Sequence, residues 1–188
     1  MATKTSELLA AAAPGTVALV RAITDDQFDL PTPCPDYTVR DLLNHLYEVT
    51  VNFQRLAAGR AVDWSAKPDH LTEGWRDRFA ADTERLAAAW ADPASEQGVS
   101  AGMGLPQATV GLMAVADLTV HGWDLARATG QPYRPAPETV GALHGFMDEM
   151  GPTGRQMGAF GAEVPTGADG TELDRLLGRM GRDPDWGR

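Results

Sequence analysis

Two stretches of this 188-residue chain place histidines and carboxylates inside segments that otherwise read as apolar helix cores: Leu42-Leu43-Asn44-His45-Leu46 and Asp117-Leu118-Thr119-Val120-His121-Gly122-Trp123-Asp124. Asp117 and His121 are four residues apart, so on a helix they share one face with Cβ atoms about 5–6 Å apart, which suits two ligands of one ion. A carboxylate within the apolar run 110–125 is costly to desolvate unless it is paired or bound to a metal. His45, from another helix, would supply a third donor. Such a set of nitrogen and oxygen ligands leaves a tetrahedral or octahedral ion with open positions for water and substrate, the property that separates catalytic from structural sites. Each part also has a plainer reading. His45 alone reads as a hydrogen-bonded histidine in a helix seam, and Asp117 with His121 reads equally well as a buried hydrogen bond that orients the ring.

The other chemically capable residues carry weaker signals. Asp124, at i+3 from His121 and i−3 from Arg127, is expected to accept from a ligand imidazole or to pair with Arg127, and is not counted as a ligand. His70 sits in a polar loop and reads as solvated; His144 reads as a core-edge residue of an amphipathic helix. Cys34 lies just before a helix N-terminus, where the dipole lowers a thiol pKa, yet with no histidine near it in sequence it reads as an inert packed cysteine. As the single cysteine, it excludes an internal disulfide and a thiolate zinc cage. Gly102-Met103-Gly104 lacks both the remaining glycine and the preceding strand of a dinucleotide fingerprint.

The length suits one domain over 1–188. A formal net charge of −10, a pI of about 4.7 and no run of Lys or Arg longer than a pair argue against nucleic acid as a partner. No span approaches 18 apolar residues, so the chain reads as soluble, unexported and cytoplasmic, with no membrane contact. Long periodic segments broken by Pro and Gly, with few alternating β-branched runs, predict an all-α bundle.

A first helix is expected over 5–24, kinked or split by Pro14-Gly15. Three prolines then impose an extended entry loop over 30–37. The second helix, capped by Thr38 with Asp41, runs to about Ala58 and stops at Gly59, with the stripe Val39, Leu42, Leu43, Leu46, Val49, Phe53 and Leu56. His45 falls on the flank of that stripe. A third helix spans 73–91, followed by a loop or short hairpin to Pro106. The fourth, over 107–129, is apolar nearly all round and is expected to be central, with Asp117, His121 and Asp124 as its polar stripe. A fifth covers 138–150 and a short one 172–180.

The blocks Pro33-Cys34-Pro35-Asp36-Tyr37-Thr38-Val39-Arg40-Asp41-Leu42-Leu43-Asn44-His45, His121-Gly122-Trp123-Asp124-Leu125-Ala126-Arg127-Ala128-Thr129-Gly130 and Gly181-Arg182-Asp183-Pro184-Asp185-Trp186 resemble an actinobacterial group of metal-binding proteins. That group belongs to the DinB/YfiT-like superfamily and is related to the N-terminal domain of mycothiol-dependent maleylpyruvate isomerase. The resemblance implies a four-helix bundle of up-down-down-up type, with additional short C-terminal helices, holding one divalent ion, zinc or nickel. His45 matches the first histidine ligand and His121 the last; Asp117 stands where the isomerase-like relatives carry a glutamate, one methylene longer. The full isomerase's second domain has no counterpart in this sequence.

The activity implied is that of a metal-dependent transferase or isomerase using mycothiol as thiol cosubstrate on a small electrophilic molecule. A non-catalytic metal-binding or stress accessory protein and a metal-dependent hydrolase are the rival readings, and a homodimer is left open.

Overall fold

In the computed structural model, which describes residues 3–187, the apolar faces of the helices close on a single core. Met1, Ala2 and Arg188, the ends of the single-domain span, lie outside the described residues. The helices are α1 (Thr5–Ala22), α2 (Val39–Ala57), α3 (Trp75–Ala89), α4 (Gln107–Ala116), α5 (Gly122–Thr129), α6 (Pro137–Gln156) and α7 (Glu172–Arg179). No strand occurs among the described residues, only isolated bridges pairing Pro31 with Thr38 and Val99 with Pro106. The fold is therefore all-α and DinB/YfiT-like. α1 and α2 each pack on α3 and on the α4–α5 rod, α6 lies against α1 and α4, and α7 against α6. No helix among the described residues is long and apolar enough to cross a membrane.

α2 forms as its sequence dictates. Thr38 and Asp41 exchange cap hydrogen bonds, Thr38 N–H donating to Asp41 Oδ2 at 3.0 Å and Asp41 N–H to Thr38 Oγ1 at 3.3 Å. Every residue of the expected stripe is buried. Gly59, at φ +70°, ends the helix in a conformation that a side chain would resist.

Three expectations about the elements are corrected. α1 and α6 run unbroken through Pro14 and Pro152, α6 six residues beyond the expected end at Met150. Both prolines face solvent, as do Ala10 and Asp148, so the carbonyls that lose an intrahelical donor remain open to water. The proline loop is not simply extended. Thr32 Oγ1 donates to the carbonyls of Cys34 and Tyr37 at 2.9 and 2.8 Å, folding the segment into a turn against the start of α2.

The third correction bears on the site. The apolar stretch 107–129 is not one regular helix: between α4 and α5, Asp117–His121 forms a π-turn. Such widened turns often mark functional positions. This one is packed against α1, where Thr16 Oγ1 donates to the Leu118 carbonyl at 3.1 Å. A Cβ built on Gly122 would lie 2.7 Å from Tyr133 Oη and 3.0 Å from Thr16 Oγ1, so only glycine allows this approach.

Gly122→Ala is therefore expected to destabilise the protein by about 1–3 kcal/mol through overpacking, read as a lowered melting temperature. Gly141→Ala, with open space at its Cβ on the exposed side of α6, should be neutral or stabilising. Equal melting temperatures for the two variants would contradict the packing described.

Candidate metal centre

His45 comes from the flank of α2 and Asp117 and His121 from the π-turn, and one donor atom from each lies within 4.8 Å of the others. The His45 and His121 rings meet edge to face, with centroids 5.1 Å apart. Tyr37, carried by the proline loop, stacks on the other side of His45 at 5.4 Å. Asp117 Oδ1 lies 3.6 Å from His121 Nε2, beyond an ordinary hydrogen bond.

The opposite nitrogen explains that arrangement. His121 Nδ1 is 3.0 Å from Asp124 Oδ2, and Asp124, fully buried, also accepts from Arg182 Nε at 3.2 Å and Nη2 at 3.1 Å. Burial works to raise the Asp124 carboxyl, but the His121 hydrogen bond and the Arg182 guanidinium outweigh it and hold the group below its ordinary value. An ionised Asp124 accepts a hydrogen bond from Nδ1–H, the tautomer in which Nε2 keeps its lone pair on the side of Asp117. Carboxylate-oriented histidines of this kind serve as metal ligands.

His45 also has a lone pair to give. Burial, the neighbouring His121 and then Lys67 push its pKa down to about 3, so the ring is neutral at pH 7. Burial raises Asp117 to about 6 against the opposing pull of His121 and Arg182. A neutral His45, a His121 held through Nδ1 and the half-buried Asp117 carboxylate thus bring donor atoms together, and a cation among them would engage all three. Two imidazoles and a carboxylate suit a divalent transition-metal ion, and three protein ligands would leave such an ion open positions.

A second triad, Cys34, His121 and Asp124, also brings donor atoms within 4.8 Å. Asp124 is already engaged there by His121 and by Arg182, whose positive charge opposes a cation. Burial raises the Cys34 thiol despite the nearby Arg182, keeping it neutral. Cys34 is therefore no dipole-activated nucleophile, although it lies closer to a histidine than its sequence context suggests.

The family model described as the mycothiol maleylpyruvate isomerase N-terminal domain matches residues 9–126, which include His45, Asp117, His121 and Asp124. The chain belongs to this family. It is 33% identical over 173 residues to uncharacterized proteins from two strains of Mycobacterium tuberculosis, covering 88% of this chain and 90% of each relative. No solved structure matches it. Arg182 lies beyond the part that the family model covers.

Several residues behave differently from their sequence context. Asp124 does orient an imidazole, but its ionic partner is Arg182 and not Arg127, which donates to the carbonyls of Pro184 and Trp186 at 3.3 and 2.8 Å. Both arginines thus tie the C-terminal block to the rod. His70 is not a solvated loop residue: its ring stacks on Tyr47 at 4.5 Å and its backbone N–H donates to Asn44 Oδ1 at 2.7 Å. His144 is a core-edge residue as read, joining α6 to α7 through the Glu172 carbonyl and Arg179. No spacing rule links Arg182 to Asp124, 58 residues away; its block in the family resemblance was the available signal.

Arg182→Met should leave a buried carboxylate uncompensated and cost about 3–5 kcal/mol. Adding Asp124→Asn should recover part of that loss. Denaturant titration of the single and double variants checks this, and additive losses would contradict the ion pair.

Proposed function

We propose that His45, Asp117 and His121 hold one divalent ion, zinc or nickel, and that the protein uses it with a low-molecular-weight thiol, mycothiol, as a transferase or isomerase acting on a small electrophile. The observation that carries this reading is the convergence of the three donors, one imidazole held by Asp124; His45 lines a cleft of about 330 Å³ with Tyr37, while Asp117 and His121 line a separate, smaller pocket of about 50 Å³. Membership in a family named for mycothiol maleylpyruvate isomerase supports the choice of thiol.

When bound, the ion supplies Lewis acidity that favours the thiolate form of a thiol near neutral pH. The chain's own residues provide the rest. Asp124 and Arg182 keep His121 from rotating, Tyr37 walls the outer side of His45, and Asp117 contributes the one negative charge of the donor set.

Protein purified without added metal is expected to carry one equivalent of a divalent ion, and His45→Ala or His121→Ala to lose it. The cobalt-substituted protein should develop a sulfur-to-metal charge-transfer band when mycothiol is added. Full metal content in both alanine variants would move the site elsewhere. An unchanged cobalt spectrum at about millimolar thiol would overturn the thiol chemistry in favour of hydrolysis or a non-catalytic role.

A further inference from the structure

The cleft beside His45 contains a second unusual group. Glu48, one turn along α2 from His45, has only 9% of its side chain exposed. Residues at i and i+3 on a helix are neighbours, and both line the same cleft with Asp41, Asn44 and Lys67. Glu48 Oε2 lies 3.8 Å from Lys67 Nζ, at the outer limit of an ion pair, and that lysine is 73% exposed. Oε1 is buried and accepts no hydrogen bond from any protein group among the described residues.

A buried carboxylate oxygen left unpaired is costly, so a structural role would be poorly served by this arrangement. The surroundings point to a ligand instead. Glu48 also lines an adjoining cavity of about 160 Å³ with His70, whose Nε2 is likewise buried and unpaired among the described residues. The outer wall of both spaces is the connection 58–74 between α2 and α3, which has no regular secondary structure. Connections of that length without elements of their own are commonly binding loops. The loop is docked on α2 by the Asn44 contact to His70, so the wall is built rather than open.

We propose that Glu48 selects the body of the ligand: Oε1 accepts an O–H or N–H from the group trailing behind the atom held at His45, Asp117 and His121. With Asp41, Glu48 and Asp69 around the cleft against the single Lys67, the favoured body is rich in hydroxyl or ammonium donors and is not an anion. This deepens the thiol-dependent reading and rests on it for the position of the sulfur, but the contact to Glu48 is made by the donors alone.

The test is calorimetric binding to the zinc-loaded full chain, using 1-thioglycerol, propane-1-thiol and sulfur-free 2-amino-1,3-propanediol. The first two differ only in two hydroxyl groups. Glu48→Gln should weaken 1-thioglycerol and the aminodiol by about tenfold or more, as for a hydrogen bond to a charged group, while leaving propane-1-thiol and zinc content unchanged. Glu48→Leu, which fills the space without an acceptor, should do the same. Equal weakening of all three probes, no weakening of the donor-bearing pair, or failure of that pair to bind the wild type would overturn the assignment. If the aminodiol binds through Glu48 while neither thiol perturbs the cobalt spectrum, the thiol chemistry fails and the donor-selecting role of Glu48 stands.

Discussion

The fully buried Asp124 carboxylate is the constraint around which the site is organised. Removing it from water costs several kcal/mol, and two groups offset that cost: the Arg182 guanidinium, clasping both oxygens, and His121 Nδ1–H. The first contact draws the C-terminal block onto the α4–α5 rod. The second fixes the ring and its tautomer, so that Nε2 turns to Asp117 and His45. Packing, protonation state and ligand geometry therefore meet at one carboxylate.

The π-turn is the backbone counterpart of that constraint. It places Asp117 and Asp124 at opposite nitrogens of one imidazole, and it is held by the Thr16 hydroxyl and by the space that Gly122 leaves for Tyr133. A regular helix carrying these residues would still put Asp117 near His121. The hydroxyl contact to the Leu118 carbonyl and the close approach at Gly122 show that the widened turn is built into the packing of α1.

Much of this was legible in the sequence because it depends on local periodicity. The α2 stripe, its Thr38–Asp41 cap, the stop at Gly59 and the flanking position of His45 follow from helical geometry, and so does the proximity of Asp117 to His121. The remainder depends on contacts that periodicity does not encode. Arg182 reaches Asp124 across 58 residues; the loop carrying His70 folds back onto α2; Cys34 comes beside His121 only because Thr32 turns the proline loop. Pro14 misled in the opposite direction, since the rule that proline breaks helices weakens where the freed carbonyl faces water; α6 likewise runs on through Pro152. Nothing in the helical periodicity sets Glu48 apart; its burial and its unpaired oxygen are tertiary properties.

The central claim is that the ion is held by His45, Asp117 and His121 rather than by the neighbouring triad containing Cys34. X-ray absorption at the zinc edge, on protein loaded with one equivalent of zinc and free of added thiol, separates the two. The account predicts two imidazole nitrogens and oxygen scatterers at about 2.0–2.2 Å with no sulfur shell. A sulfur scatterer at about 2.3 Å, the zinc–thiolate distance, would place the ion on Cys34 and contradict it.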